Sequence, residues 1–280
     1  MKSPNICDIS AVVCCWNSID SIEECLKSLK KCGVGELIVV DGGSVDGTLE
    51  IAKKYADKVL SDDGIGLGNA RNIGLMQASM QFVLNSGPDN MYSSDCLSTM
   101  LSYFPSAGTI AVSCKTLVKS ENYLGRLLNI YKKARYFSGE RLSVGTPLLC
   151  ETEVIKSYPF DETHKFSDDA ELCHRWGKEL DAKFFIAECH VLEIGRVNIS
   201  DLHARWKMYG VSDHEVFLSQ SGSWSFARKI GSILYPFKHE VALPLVSSRI
   251  SFNEKCNVLW FLVYIVTIRY SNWFRSVFFK

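Results

Sequence analysis

The sequence predicts an α/β protein with a doubly wound, mostly parallel sheet and a helical C-terminal extension. Two observations predict this. Apolar runs without polar alternation, such as "ISAVVCCW" and "ELIVVD", read as strands buried on both faces. Stretches of helical period separate those runs, and a βαβαβαβ order implies parallel strands with ligands at their carboxyl ends.

"ISAVVCCW" is the first strand. "SIDSIEECLKSLKKCG" follows as a helix, with Ile19, Ile22, Leu26 and Leu29 at helical spacing and Gly33 as its stop. "ELIVVD" is a strand, "DGTLEIAKKYA" a helix, "DKVLS" a short strand, "GNARNIGLMQAS" a helix and "MQFVLN" a fourth strand. Beyond residue 92 the pattern continues with a helix near 93–104, a strand at "TIAVSC" and a helical stretch through "NYLGRLLNIYKKARYF". A strand at "TPLLC", a helix at "SDDAELCHRWGKEL" and a strand at "AKFFIAE" complete the alternation. The chain then turns helical and aromatic, and the expected division is a main domain over 1–220, with halves of about 1–92 and 93–220, and an extension over 221–280.

With 280 residues, 47% of them hydrophobic, the chain can bury a sizeable core. Lys plus Arg and Asp plus Glu are balanced at 31 each, which argues against a general nucleic-acid binder. The tail departs from that balance, with eight Lys or Arg against two Glu from Arg228 onward. Eleven cysteines include no C-x-x-C pair, and Cys14, Cys15, Cys114 and Cys150 lie in apolar runs. This suits reduced thiols in a cytoplasmic compartment. "MKSPNICDIS" has no apolar core of the kind a secretory signal carries.

The chemistry concentrates in "VVDGGSVDGT" (39–48). Asp41 ends a strand at the ligand edge, Gly42 and Gly43 allow positive φ or close approach, and Ser44 or Asp46 can cap the next helix. The same residues would equally make a well-capped strand-to-helix turn. Trp16 and Asn17 end the first strand at the same edge.

"AVVCCWNSIDSIEECLKSL", "ELIVVDGGSVDGTLEIAKKYA" and "NARNIGL" together resemble the opening of family 2 glycosyltransferases, over about residues 9–90. The resemblance implies the GT-A fold, which binds nucleoside-diphosphate sugars. It also implies an inverting transfer of the sugar to an acceptor hydroxyl, in surface polysaccharide or glycolipid synthesis. By the same resemblance, Trp16 and Asn17 frame the base, Asp41 accepts its N–H, Arg71 lies near the diphosphate, and Gly43, Ser44, Asp46 and Asn85 complete the donor side. A guanidinium suits phosphate oxygens in a bidentate grip.

Family members end the fourth strand in Asp-x-Asp, whose carboxylate holds Mg²⁺ or Mn²⁺ against the diphosphate. This chain reads "FVLNSGPDNMY", with Asn85 at the first acidic position and Asp89 displaced by Gly87 and Pro88. Asp89 is the expected metal ligand. "SGPDN" is also strong turn chemistry. Neither His190 nor His203 matches the downstream histidine that family members often add.

Further on, "GTPLLCETEVIKSYPFDETHKFSDDAELCHRW" resembles the family's acceptor half, which makes Asp169 the general base, with Asp168 and Glu171 beside it. An inverting transfer needs one carboxylate to take the acceptor's proton as that oxygen attacks. Acids in a first helical turn and an i,i+4 pair of Glu171 with Arg175 are also ordinary helix chemistry. Arg205, Trp206 and Tyr209 are expected on the acceptor side, with Trp206 and Tyr209 otherwise packing residues on one helix face.

"NVLWFLVYIVTIRYSNWFRSVFFK" has an apolar run too short to span a bilayer. Its Arg, Lys, Trp and Phe suit a helix lying on the cytoplasmic face of an anionic membrane, and "KIGSILYPF" suits the same role. A helix packed on the body is the other reading. Two rivals to a transferase stay open. One is a non-catalytic sugar-nucleotide or glycan binder, suggested by Asn85. The other is a dinucleotide-dependent oxidoreductase, suggested by the loosely spaced glycines of "GIGLGNARNIG".

Overall fold

Seven residues, Ile9–Cys15, form β1, and every one is buried. Helix α1 (Ile22–Cys32) follows, then β2 (Glu36–Asp41), α2 (Thr48–Tyr55), β3 (Lys58–Ser61), α3 (Leu67–Met76) and β4 (Phe82–Ser86). These four strands lie parallel in the order β3-β2-β1-β4. The register pairs Cys15 with Asp41 and Asp41 with Ser61, so the carboxyl ends of β1, β2 and β3 meet at one edge. In this computed structural model the described residues are 4–106, 108–119, 122–135, 137–162, 168–195 and 197–278.

The second half comprises β5 (Asn90–Met91), α4 (Ser94–Leu101), β6 (Thr109–Lys119), α5 (Tyr123–Arg135), β7 (Gly139–Arg141), β8 (Leu148–Glu151), α6 (Thr152–Ser157), α7 (Asp168–Leu180) and β9 (Lys183–Ile194). Strand β8 enters antiparallel between β4 and β6, so the sheet is mixed beyond its parallel half. Strands β5 and β7 are additions to the expected pattern, and both pair with β9. They carry no apolar alternation because their pairing partner, not their own sequence, makes them strands.

Alternation along β1 serves two cores. Ile9, Ala11 and Val13 join Leu26, Leu29 and Leu97 on one face, while Val12 and Cys14 join Leu75, Leu172 and Trp176 on the other. Helices therefore cover both faces, the condition for strands as apolar as β1 and β2.

The chain divides into two units, one of Met1–Lys119 with Ser138–Gly195, the other of Ser120–Phe137 with Arg196–Lys280. The division falls after Gly195 rather than near 220, and α5 joins the C-terminal helices. The second unit holds α5, α8 (Ile199–Gln220), α9 (Phe226–Phe237), α10 (Leu243–Val246) and α11 (Phe252–Phe278). The reason is packing, because Tyr131 of α5 meets the rings of Trp206 and Phe261 edge-on. A π-helical turn at Lys238–Ala242 carries the fully buried Glu240 onto Arg135, Arg269 and Tyr131. Val258, Phe261, Leu262 and Ile265 of α11 are buried, so much of the tail's apolar surface is core. Among the described residues no helix is long and apolar enough to cross a membrane.

Candidate active site

The acidic turn after β2 is organised around Asp41. Its carboxylate is buried and accepts the N–H groups of Gly43 and Ser44 at 3.1 and 2.9 Å and the Ser44 hydroxyl at 2.5 Å. Gly43 sits at φ +84°, a conformation that favours glycine. Asn17 Oδ1 accepts the Val45 N–H, and the Asn17 N–H donates to Ser44 Oγ. Asp46 accepts the N–H groups of Ile19 and Thr48 and the Thr48 hydroxyl, and that hydroxyl first of all holds its carboxyl below the usual range. Asn17, Ser44 and Asp46, expected on the donor, thus tie the loop after β1 to the loop after β2. Trp16 stands apart, 67% exposed at the end of β1.

An acid that the motif reading passed over lies beside this turn. Asp62, just past β3, is buried and accepts the N–H groups of Gly64 and Gly66, closing the loop that leads into α3. A Cβ on Gly42 would lie 3.5 Å from its Oδ1. The available signal was the repeat of a strand ending in Asp, in "DKVLSDDG". Burial pushes the Cys14 thiol of β1 up to about 12, with the charge of Arg71 lowering it and that of Asp62 raising it. Cys14 is a neutral wall within reach of both charges.

Arg71, in α3, is the centre of the second cluster. It is buried to 7% exposure, donates through Nη2 to Thr146 Oγ1 at 3.1 Å, and has Nη1 3.6 Å from Asp169 Oδ1. Its guanidinium lies 5.0 Å from the Phe160 ring centroid, within cation–π range. The Thr146 N–H donates to Asp169 Oδ2, and Asn85 Nδ2 donates to Thr146 Oγ1 at 3.4 Å. Arg71, Asn85 and Asp169 come from α3, β4 and α7, and Thr146 ahead of β8 is the residue that joins them. Nothing in its local sequence marked it. Asn72 fixes the neighbouring loop by accepting the Phe160 N–H and donating to Phe160 O and Glu162 Oε1.

Glu171 and Trp206, both expected on the acceptor side, make contacts within the fold. Glu171 accepts from Arg175 at 3.0 Å, and Arg175 also donates to Pro159 O, so this pair clamps α7 to the preceding loop. The side chain of Asp168 lies outside the described residues. Trp206, expected on the acceptor side, is buried among Tyr131, Tyr209 and Phe261 in the second unit. A Cβ on Gly210, midway along α8, would meet Arg269 O at 2.2 Å, so this glycine lets α8 and α11 approach closely. Arg205 is exposed on α8.

Asp89 follows β4 on the side of α1. A Cβ on Gly87 would lie 2.7 Å from its Oδ1, and its charge acts on the buried Cys25 thiol, which approaches Gly87 O at 3.6 Å. Among the described residues no group of three His, Cys, Asp or Glu side chains gathers around Asp89. One carboxylate fits a Mg²⁺ or Mn²⁺ ion that takes its other ligands from phosphates and water, not from a protein cage.

A parallel half-sheet covered by helices on both faces, an acidic turn at its mouth and an Arg–Thr–Asp cluster in the same unit describe an α/β domain with its polar residues at the carboxyl ends of its strands. Residues 10–161 match the model of glycosyl transferase family 2, and the chain belongs to that family. The "Cholesterol galactosyltransferase" of Borreliella burgdorferi is 31% identical over 99 residues, which are 33% of this chain and 28% of that protein. The chain spans under a third of the length of the curated relatives it matches first. The mannosyltransferase PcManGT from Pyrobaculum calidifontis, solved with GDP-Man and Mn²⁺, superposes with a TM-score of 0.63 at 15% identity, over 96% of this chain and 87% of that one. TarS 1-349 of S. aureus with UDP-GlcNAc gives 0.54 at 16% identity, over 95% and 89%. At these identities the likeness is one of fold, and the fold is GT-A.

Proposed function

We propose that this chain moves a sugar from a UDP- or GDP-type donor to an acceptor hydroxyl, with inversion, in surface polysaccharide or glycolipid biosynthesis. The observation that carries the reading is the gathering of Arg71, Thr146, Asn85 and Asp169 into one cluster of the first unit. Asp169 takes the acceptor's proton as its oxygen attacks the anomeric carbon. Arg71 turns its fork to the diphosphate, and leaves the Asp169 carboxylate to the acceptor. Trp16 offers an exposed ring for the base to stack on, and Asp41 accepts a base N–H in place of its weak contact from Cys15 Sγ at 3.6 Å. Asp168, beside Asp169, belongs to the acceptor side. Asp89 would hold Mg²⁺ or Mn²⁺, which neutralises the departing diphosphate.

The same reading assigns membrane contact to α9. Phe226, Ile230, Leu234 and Phe237 recur at helical spacing and are exposed, with Arg228, Lys229 and Lys238 nearby. That combination supports a peripheral position on an anionic surface, and an acceptor that is lipid-linked or a growing glycan.

The test is nucleoside diphosphate release across a panel of UDP- and GDP-sugars, with and without Mn²⁺, repeated on Asp169→Asn. The variant is expected to keep donor binding and lose transfer by ~10²-fold or more, the scale of a positioned base. Unchanged transfer removes Asp169 from the mechanism. A second reading, a non-catalytic donor binder, is favoured by Asn85 in place of an acid, and binding without release under any cation would select it.

A further inference from the structure

We infer that Cys96, Cys114 and Cys189 form a three-thiolate site for a thiophilic d¹⁰ cation, with Zn²⁺ as its representative. The three Sγ atoms come from α4, β6 and β9, and all lie within 4.8 Å of one another. Cys96 Sγ and Cys189 Sγ are 3.2 Å apart. A tetrahedral zinc with Zn–S bonds of about 2.3 Å separates its sulfurs by roughly 3.8 Å, so modest rotation about the side-chain bonds completes the site.

The backbone is shaped for this gathering. Strands β6 and β9 run in register from the pair of Ala111 with Phe184 to that of Cys114 with Ala187, and the next pair is Lys115 with His190. Glu188 and Cys189 are therefore extra residues on β9, and such a bulge re-aims a side chain that regular pairing would direct elsewhere. Cys189 reaches Cys96 Sγ and the Cys96 carbonyl.

The cluster is also open on one side. A pocket of about 360 Å³ is lined by Tyr92, Asp95, Cys96, Cys189 and His190, among others. Three protein thiolates with an accessible fourth position make an open metal site, and thiolates favour zinc or cuprous ions over the hard cations that Asp89 suits. Binding releases the thiol protons to water. Lys115, paired with Glu188 at 2.7 Å, and the pocket-lining His190 lie beside the site.

The full chain, reduced with a non-thiol reductant and freed of metal, is titrated with Co²⁺ and then Zn²⁺. One Co²⁺ per chain is expected, with sulfur-to-cobalt charge-transfer absorption that Zn²⁺ abolishes. Cys189→Ser is expected to weaken Zn²⁺ binding by at least ~10²-fold, more than loss of an outer-shell partner costs, while Cys256→Ser has no effect. Zn²⁺ is also expected to protect these three thiols from alkylation in the unaltered chain, a readout that needs no variant to fold. Equal binding by Cys189→Ser and the parent overturns the site. So does a Cys96–Cys189 disulfide whose reduced form neither retains Zn²⁺ nor shows protection.

Discussion

Arg71 Nη1 stands 3.6 Å from Asp169 Oδ1, and Thr146 bonds to both residues. A guanidinium at that distance neutralises the carboxylate without the short contact of a closed ion pair. Arg71→Met is expected to raise the KM for donor by roughly 10- to 100-fold, the equivalent of one charge-assisted hydrogen bond of about 1.5–3 kcal/mol. Arg71→Lys should recover part of the loss, since a lysine keeps the charge and not the fork. Initial rates over a donor series check it, and an unchanged KM would remove Arg71 from the diphosphate.

Glu36 supplies a pH dependence to the first unit. Burial alone would raise its pKa, but the hydrogen bonds from Lys58, Ser10 and Ser79 outweigh that and bring it to about 2. A carboxylate depressed on folding contributes stability that is complete above its unfolded pKa of about 4.3 and is lost as pH falls through the folded value. The contribution is roughly 3 kcal/mol at neutral pH. Urea midpoints of the parent and Glu36→Gln should therefore differ at pH 7 and converge as pH falls from 4 toward 2; a gap that stays constant over that window contradicts the assignment.

Glu240 is the corresponding point in the second unit. It is fully buried and paired with Arg135 and Arg269, and Arg269 is held in turn by Asp213 at 2.6 Å. Removing one member of a buried ion-pair network leaves charge without compensation. Glu240→Ala should cost about 3–5 kcal/mol in equilibrium unfolding. A loss under 1 kcal/mol would mean that water reaches the two guanidinium groups.

The exposed face of α9 gives a membrane prediction. Sedimentation with anionic phospholipid vesicles should pull down the full chain at low salt and progressively less as salt is raised. Leu234→Glu should abolish this, because Leu234 lies mid-face and exposed. Equal sedimentation of parent and variant would place the contact elsewhere.

What was legible in the sequence was whatever is encoded within a few residues. Buried strands announce themselves by unbroken apolar runs, and β1, β2, β4 and β8 lie where those runs are. Asp41 was legible as a residue that ends a strand before glycines. Asp169 was placed only through the order of family blocks, since acids in a first helical turn are common.

Tertiary structure decided the rest, because a residue's neighbours across the sheet are set by pairing that no local window contains. Thr146 became a hub only when the antiparallel entry of β8 beside β4 brought it under Asn85 and Arg71. Trp206 and Glu171 carry the residue types of an acceptor site, yet the packing of α5 on α8 and α11 and the reach of Arg175 engage them. The extra residues in β9 bring Cys189 to Cys96 and Cys114, which lie in separate elements. The sequence by itself determined the α/β class and the strand-end acids, through periodicity and turn chemistry, and the family, through the resemblance of its ordered motif blocks. Which side chains meet was settled only when distant strands closed into one sheet, since proximity is a property of the folded chain.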